Sequence, residues 1–87
     1  MAQIIPCNTF ADGEYRTGTL TGLTVNDVKT RLGFPANRKD DPGKVSHSWG
    51  FTVDGMFCAV WSYRGGASLS TFGPAAALRT VFGDHCG

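Results

Sequence analysis

Cys7, Cys58, His85 and Cys86 are the residues whose types could hold a soft metal ion or supply a nucleophile. Zinc sites draw on close ligand pairs such as C-x2-C, and only the adjacent His85 and Cys86 are near each other in the chain. Neighbouring residues rarely chelate one ion together, so the spacing argues against a metal centre. A Cys-His nucleophile pair needs hydrogen-bond reach. The tail "DHCG" sets Asp84, His85 and Cys86 side by side, but a chain end frays. His47 reads as a sheet-edge histidine. The chain contains no G-x-S-x-G, Walker loop or H-E-x-x-H. No catalytic residue, metal or cofactor is expected.

The totals narrow the classes further. Eighty-seven residues make one domain, 1–87, with a thin core. A net charge of +1 provides no strong field to gather nucleic acid or an anionic membrane. No apolar run approaches the ~18 residues of a membrane span. "MAQIIPCNTF" has neither the basic start nor the apolar stretch of a signal peptide, so the expected location is the cytoplasm. Three cysteines are an odd count and do not suggest a disulfide framework. Cys58 reads as a small buried hydrophobe and Cys86 as exposed.

The remaining chemistry lies in "SWGFTVDGMFCAVWSYRGG", residues 48–66. Asp54-Gly55 tolerates the positive φ angles of a two-residue hairpin turn. That turn pairs Val53 with Met56, Phe51 with Cys58, Trp49 with Val60 and His47 with Ser62. Alternation puts those residues on one face, which is almost wholly apolar. The back face carries Ser46, Ser48, Gly50, Thr52, Phe57, Ala59, Trp61 and Tyr63. Exposed aromatic clusters mark interfaces, and Trp, Tyr and Arg are the usual hot-spot types. Phe57, Trp61, Tyr63 and Arg64 are therefore the candidate contact residues, with Arg38 and Lys39 on the rim formed by the 35–44 loop. This reading expects Trp61→Ala to abolish binding with the melting temperature nearly unchanged. The competing reading covers these aromatics with the N-terminal strands or that loop.

The supporting elements follow from local signals. In "GLTVNDVKTRLG" Thr24 is the N-cap candidate, Asp27 completes a capping box, Leu23 and Val28 form a hydrophobic staple, and Gly33 stops the helix. Val25, Val28 and Leu32 share its apolar side. In "GPAAALRTVFG" Gly73 is the N-cap candidate, Pro74 the first helical residue and Gly83 the stop. Gly65-Gly66 invites a turn into a third strand at Ser68–Phe72. Asp12-Gly13 suggests a first hairpin joining strands near 3–10 and 14–20, the former an edge strand because of Pro6. The expected fold is α+β, in the order β-β-α-β-β-β-α: an antiparallel sheet built from hairpins, with two short helices on one face. Its other face would be left to solvent or a partner.

"SWGFTVDGMFCAVWSYRGG", with "STFGP", "VFG", "GLTVNDVKTRLGF" and "DDPGKV", resembles small uncharacterised proteins encoded by bacteriophages and prophages, over most of residues 13–83. The resemblance implies an accessory protein in the cytoplasm of an infected bacterium. Compact phage proteins of this size often act by binding and blocking a host protein, including defence systems such as CRISPR. No functional residue carries over. "GLTVNDVKTRLG" then "SWGF" is also similar to the helix-and-hairpin unit of outer-membrane assembly lipoproteins and β-lactamase inhibitor proteins, over a helix and a strand start only. The expected function is non-enzymatic binding and inhibition of a host protein. The alternatives are a single-stranded nucleic-acid or nucleotide-binding module and a homodimeric adaptor.

Overall fold

The structure, a computed structural model, describes residues 3–39, 43–65 and 68–86. Asp40, Asp41 and Pro42 of the 35–44 loop and Gly66 of the Gly-Gly turn lie outside them. The elements run β1 (Ile4–Pro6), β2 (Gly18–Leu20), α1 (Val25–Leu32), β3 (Val45–Val53), β4 (Met56–Tyr63), β5 (Leu69–Phe72) and α2 (Ala75–Phe82), closed by a 3-10 turn at Gly83–His85. The five strands form one antiparallel sheet in the order β1-β3-β4-β5-β2, and the fold is α+β as expected. No helix among the described residues is long and apolar enough to cross a membrane.

The β3–β4 hairpin is the centre of the sheet. Asp54 and Gly55 both take positive φ, 50° and 85°, which matches their turn to the twist of the strands. Its register is the expected one, from Val53 opposite Met56 to His47 opposite Ser62. Trp49, Phe51, Val53, Cys58 and Val60 then face the helices and pack with Val28, Leu32, Leu78 and Phe82 in one core. Each large apolar side chain so buried contributes about 1.5–3 kcal/mol. Trp49 satisfies its indole by donating Nε1–H to Phe34 O at 3.2 Å. Burial, with Cys86 nearby, pushes the Cys58 thiol up to about 11, so it stays protonated and behaves as a hydrophobe.

One local departure changes a face. The register shifts between Val45 and His47, leaving Ser46 as a bulged residue. Val45 consequently joins Ala59 and Trp61 on the back of the sheet, where alternation alone would have put Ser46.

The first hairpin does not form. β1 pairs with β3 and β2 with β5, so the two strands lie on opposite edges of the sheet. Pro6 does sit on an edge strand. The turn at Asp12-Gly13 belongs instead to the connection 7–17, which crosses the back face as a strap. Its eleven residues reach at most ~40 Å, ample for the ~19 Å spanned by four inter-strand steps. The strap starts with Cys7 N donating to Gly50 O on β3 at 2.9 Å and ends with Thr17 N donating to Thr71 O on β5 at 2.8 Å.

The helices follow from their ends. Thr24 Oγ1 accepts from Asp27 N at 3.2 Å while Asp27 Oδ2 accepts from Thr24 N at 2.9 Å, a complete capping box. Gly33 closes α1 in the left-handed region, its N–H donating to Lys29 O at 2.8 Å. In α2 the start lies one residue later than expected. Pro74 has an extended ψ of 133° and is itself the N-cap, so the helix begins at Ala75. His85 and Cys86 are pinned rather than frayed: Thr21 N donates to His85 O at 3.0 Å, and Cys86 bridges Leu20. Cys86 is accordingly half-buried.

Hydrogen bonds from the Thr24 backbone, then its side chain, hold the Asp27 carboxyl below its usual value of 3.8. A depressed folded value means the cap stabilises above the unfolded carboxyl range and is lost as pH falls through the folded one. On acidification below pH 3.8, amide exchange in the first turn of α1 should rise before that of the β3–β4 hairpin, and Asp27→Ala should remove this acid step.

Candidate functional site

The back face is covered, not open. Ser48, Gly50, Ala59 and Trp61 are buried on it, with Trp61 only 6% exposed. The expectation of a free Trp61 is therefore corrected: the strap and the 35–39 segment lie over this face.

A buried arginine holds that cover in place. Asn37 and Arg38 dock on the free edge of β3 beyond the end of β1, both backbone N–H groups donating to Ser48 O at 3.1 Å. The Asn37 amide repeats the pattern two residues on. Its Nδ2 donates to Gly50 O at 2.9 Å and its Oδ1 accepts from Gly50 N at 2.8 Å, so one side chain stands in for a strand residue. Arg38 then runs across the back face. Its side chain is 0% exposed, which corrects its assignment to an accessible rim. Nε donates to Ser48 Oγ at 2.9 Å, and the two terminal nitrogens form a fork with Glu14 Oε1 at 2.9 Å and Oε2 at 3.0 Å. One of them also donates to Thr9 O at 3.3 Å, and the guanidinium lies 4.0 Å over the Phe10 ring.

Two small features permit this geometry. A Cβ on Gly50 would lie 2.8 Å from Arg38 Cδ and overlap the Cys7 carbonyl oxygen, so only glycine lets the arginine and the strap pass. The Asp12-Gly13 turn, closed by Glu14 N donating to Ala11 O at 3.1 Å, presents Glu14 to the guanidinium.

With the strap in place, the aromatics divide anew. Phe57 is half-buried and packs on Phe72, ring centres 6.2 Å apart, while Tyr15 meets the same Phe72 edge-on at 5.8 Å. Phe57 lies six residues from Tyr63 along β4, about 20 Å away, so it does not join Tyr63 in one patch. Tyr63 and Arg64 are exposed, as expected, and so is Lys39. Tyr63 and Trp61 line one cleft of about 340 Å³ together with Phe10, Tyr15, Arg16 and Lys44. Lys39 and Arg64 line a second, of about 370 Å³, with Arg38 and His47. The clefts meet at Val45.

Phe10, Tyr15 and Arg16 were missed from the sequence. The signal was present in "FADGEYR", where two aromatics and an acid-base pair flank a tight turn, but treating 14–20 as strand hid it. His47 bonds its own neighbour, Nδ1 to Ser46 Oγ at 3.1 Å, and Cys58 Sγ donates to Met56 O at 3.7 Å, so the two form no Cys-His pair. Among the described residues, no three His, Cys, Asp or Glu side chains gather into a metal-binding group.

No protein-family model matches the chain, and neither a curated protein nor a solved structure is found to be similar to it.

Removing either partner alone, as in Arg38→Ala or Glu14→Ala, should cost about 3–5 kcal/mol by stranding a buried charge, and the joint Arg38→Met/Glu14→Leu exchange should recover most of it in urea unfolding. Trp61→Ala should lower stability by about 3–5 kcal/mol, as for a core tryptophan, instead of leaving the melting temperature unchanged.

Proposed function

We propose that this chain is a non-enzymatic protein-binding domain. It holds its partner at the cleft between the strap and the end of β4. The observation that carries the reading is the convergence of Phe10, Tyr15 and Tyr63, exposed by 48%, 67% and 43%, on one cleft that also has Arg16 and Lys44 in its walls. Large apolar side chains left in water at one place are a cost to an isolated domain and an asset at an interface. Tyrosine and arginine around a pocket are the side chains that most often dominate binding energy. The cleft has room for an apolar anchor, and the two cations favour carboxylates beside it. The partner surface is accordingly an apolar side chain flanked by acidic residues.

The resemblance to phage-encoded proteins supports a bacterial host protein as partner, inhibited by occlusion in the host cytoplasm. Burial of Trp61 counts against the nucleic-acid alternative, because it removes the largest stacking surface from the face.

The test compares the wild-type chain with the Tyr15→Ala/Tyr63→Ala variant. A protein captured from bacterial lysate is purified and its affinity for both is measured at low and high salt. The double variant should bind roughly 100-fold more weakly, consistent with two hot-spot residues, and its melting temperature should barely change. Equal affinity for both chains would overturn the proposal. So would binding of a single-stranded oligonucleotide, or a second copy of the chain in sedimentation, that depends on the same two tyrosines.

A further inference from the structure

The chain's positive charge is unevenly placed. Net charge is only +1, yet five of its eight Lys and Arg residues, Arg16, Arg38, Lys39, Lys44 and Arg64, line the two clefts that meet at Val45. Among the described residues, Glu14 is the one acid in either lining, and its two oxygens are taken by the Arg38 fork. That pair cancels. Arg16, Lys44, Lys39 and Arg64 then set the sign of the field over the groove that the two clefts form.

The hairpin makes the charge continuous from one cleft to the next. β3 and β4 end side by side, with Arg64 N donating to Lys44 O at 2.8 Å. Lys44 lines the aromatic cleft and Arg64 the other, while Val45, brought to the back face by the bulge at Ser46, is a wall of both. The two clefts differ in what they offer a ligand. The one beyond Val45 has no Phe, Tyr or Trp in its lining. Its Ser46 and Ser48 hydroxyls are already bonded, to Ser62 O and Arg38 Nε. The exposed Lys39 and Arg64 are its main chemistry.

We propose, resting on the protein-binding reading above, that the Lys39–Arg64 cleft is an acidic subsite of the same groove. It takes carboxylate side chains of a partner segment whose apolar anchor fills the aromatic cleft. Taken as spheres, adjoining clefts of about 340 and 370 Å³ have centres about 9 Å apart, roughly three residues of extended chain at ~3.3 Å each. The partner is accordingly a linear, extended stretch of protein with acids two to three residues from an apolar anchor. A nucleic-acid strand fits less well, because it brings a base with every phosphate and the cationic cleft has no Phe, Tyr or Trp ring to stack one.

The experiment titrates two capped, Gly-rich peptides into the full chain and follows its amide NMR spectrum at low and high salt. One peptide carries a single Phe followed, after two glycines, by an Asp-Glu-Asp run; its twin carries Asn-Gln-Asn instead. The acidic peptide should bind roughly tenfold more tightly at low salt, as for two exposed ion pairs, and the advantage should shrink at high salt. Its shifts should extend from Tyr15 and Tyr63 to Lys39 and Arg64, while those of the neutral twin stop at Val45. Lys39→Gln/Arg64→Gln should bring the two peptides to one affinity. Lys39→Gln alone, at an exposed position, should remove part of the advantage with the melting temperature unchanged. Equal affinity of the two peptides, both weakened by Tyr15→Ala/Tyr63→Ala, would overturn the acidic subsite and leave the aromatic cleft as the binding site. Binding of both peptides that ignores those tyrosines would overturn the underlying reading as well. The subsite is also overturned if the acidic peptide gives no saturable shift, or if a thymidine oligonucleotide binds more tightly than that peptide and loses its affinity in Lys39→Gln/Arg64→Gln.

Discussion

The buried Arg38 guanidinium is the constraint on which the rest of the back face depends. A charge withdrawn from water is tolerated only where its donors are met by acceptors and its charge by a counter-charge. Here Ser48 on the sheet, Thr9 on the strap and both oxygens of Glu14 meet that demand together. None of these groups is near Arg38 in sequence. The pair therefore fixes where the strap lies more than it adds net stability, since a well-packed apolar replacement would do as well energetically. Gly50 and the Asp12-Gly13 turn are the local concessions that let it form.

Once the strap is fixed, the chain encircles its own sheet. It leaves β1 at one edge, crosses the back to β2 at the other, and returns over the opposite face as α1. Both sides of the sheet are thereby covered in part. The Asn37 amide and the 37–38 backbone cover β3 where β1 stops, and Cys86 with His85 closes on the outer side of β2. Open edges invite pairing with another chain. An edge blunted in this way directs recognition to side chains on the face, which is where the aromatic cleft lies.

What was legible in the sequence was what is local. The β3–β4 register follows from a turn whose two residues tolerate positive φ, and α1 follows from a cap whose partners are three residues apart. The same turn signal at Asp12-Gly13 misled because it reports that the chain bends, not which strands the bend joins. β1 and β2 have three residues each, and their pairing partners are set by long-range contacts. The single bulged residue Ser46 was equally hidden, although it decides that Val45 backs onto Trp61. For the site, Tyr63, Arg64 and Lys39 were readable as exposed side chains. Burial of Trp61 and Arg38 was not, because it depends on Glu14 arriving from a distant segment.

The strap also explains why this face keeps aromatics in water at all. A short covering segment has few inward positions, and here Glu14 takes one because the guanidinium beneath requires it. Phe10 is then drawn over the arginine as a lid on one side only, its ring 4.0 Å from Arg38 Cζ. Tyr15 leans its edge on Phe72 and leaves most of its surface outside. A wholly apolar strap would bury more surface and present less. By spending its central position on a polar contact, the strap leaves Phe10 and Tyr15 beside Tyr63, held by a buried ion pair instead of by their own burial. Side chains positioned by something other than their own desolvation still have that desolvation to gain from a partner, and this makes the cleft suited to binding.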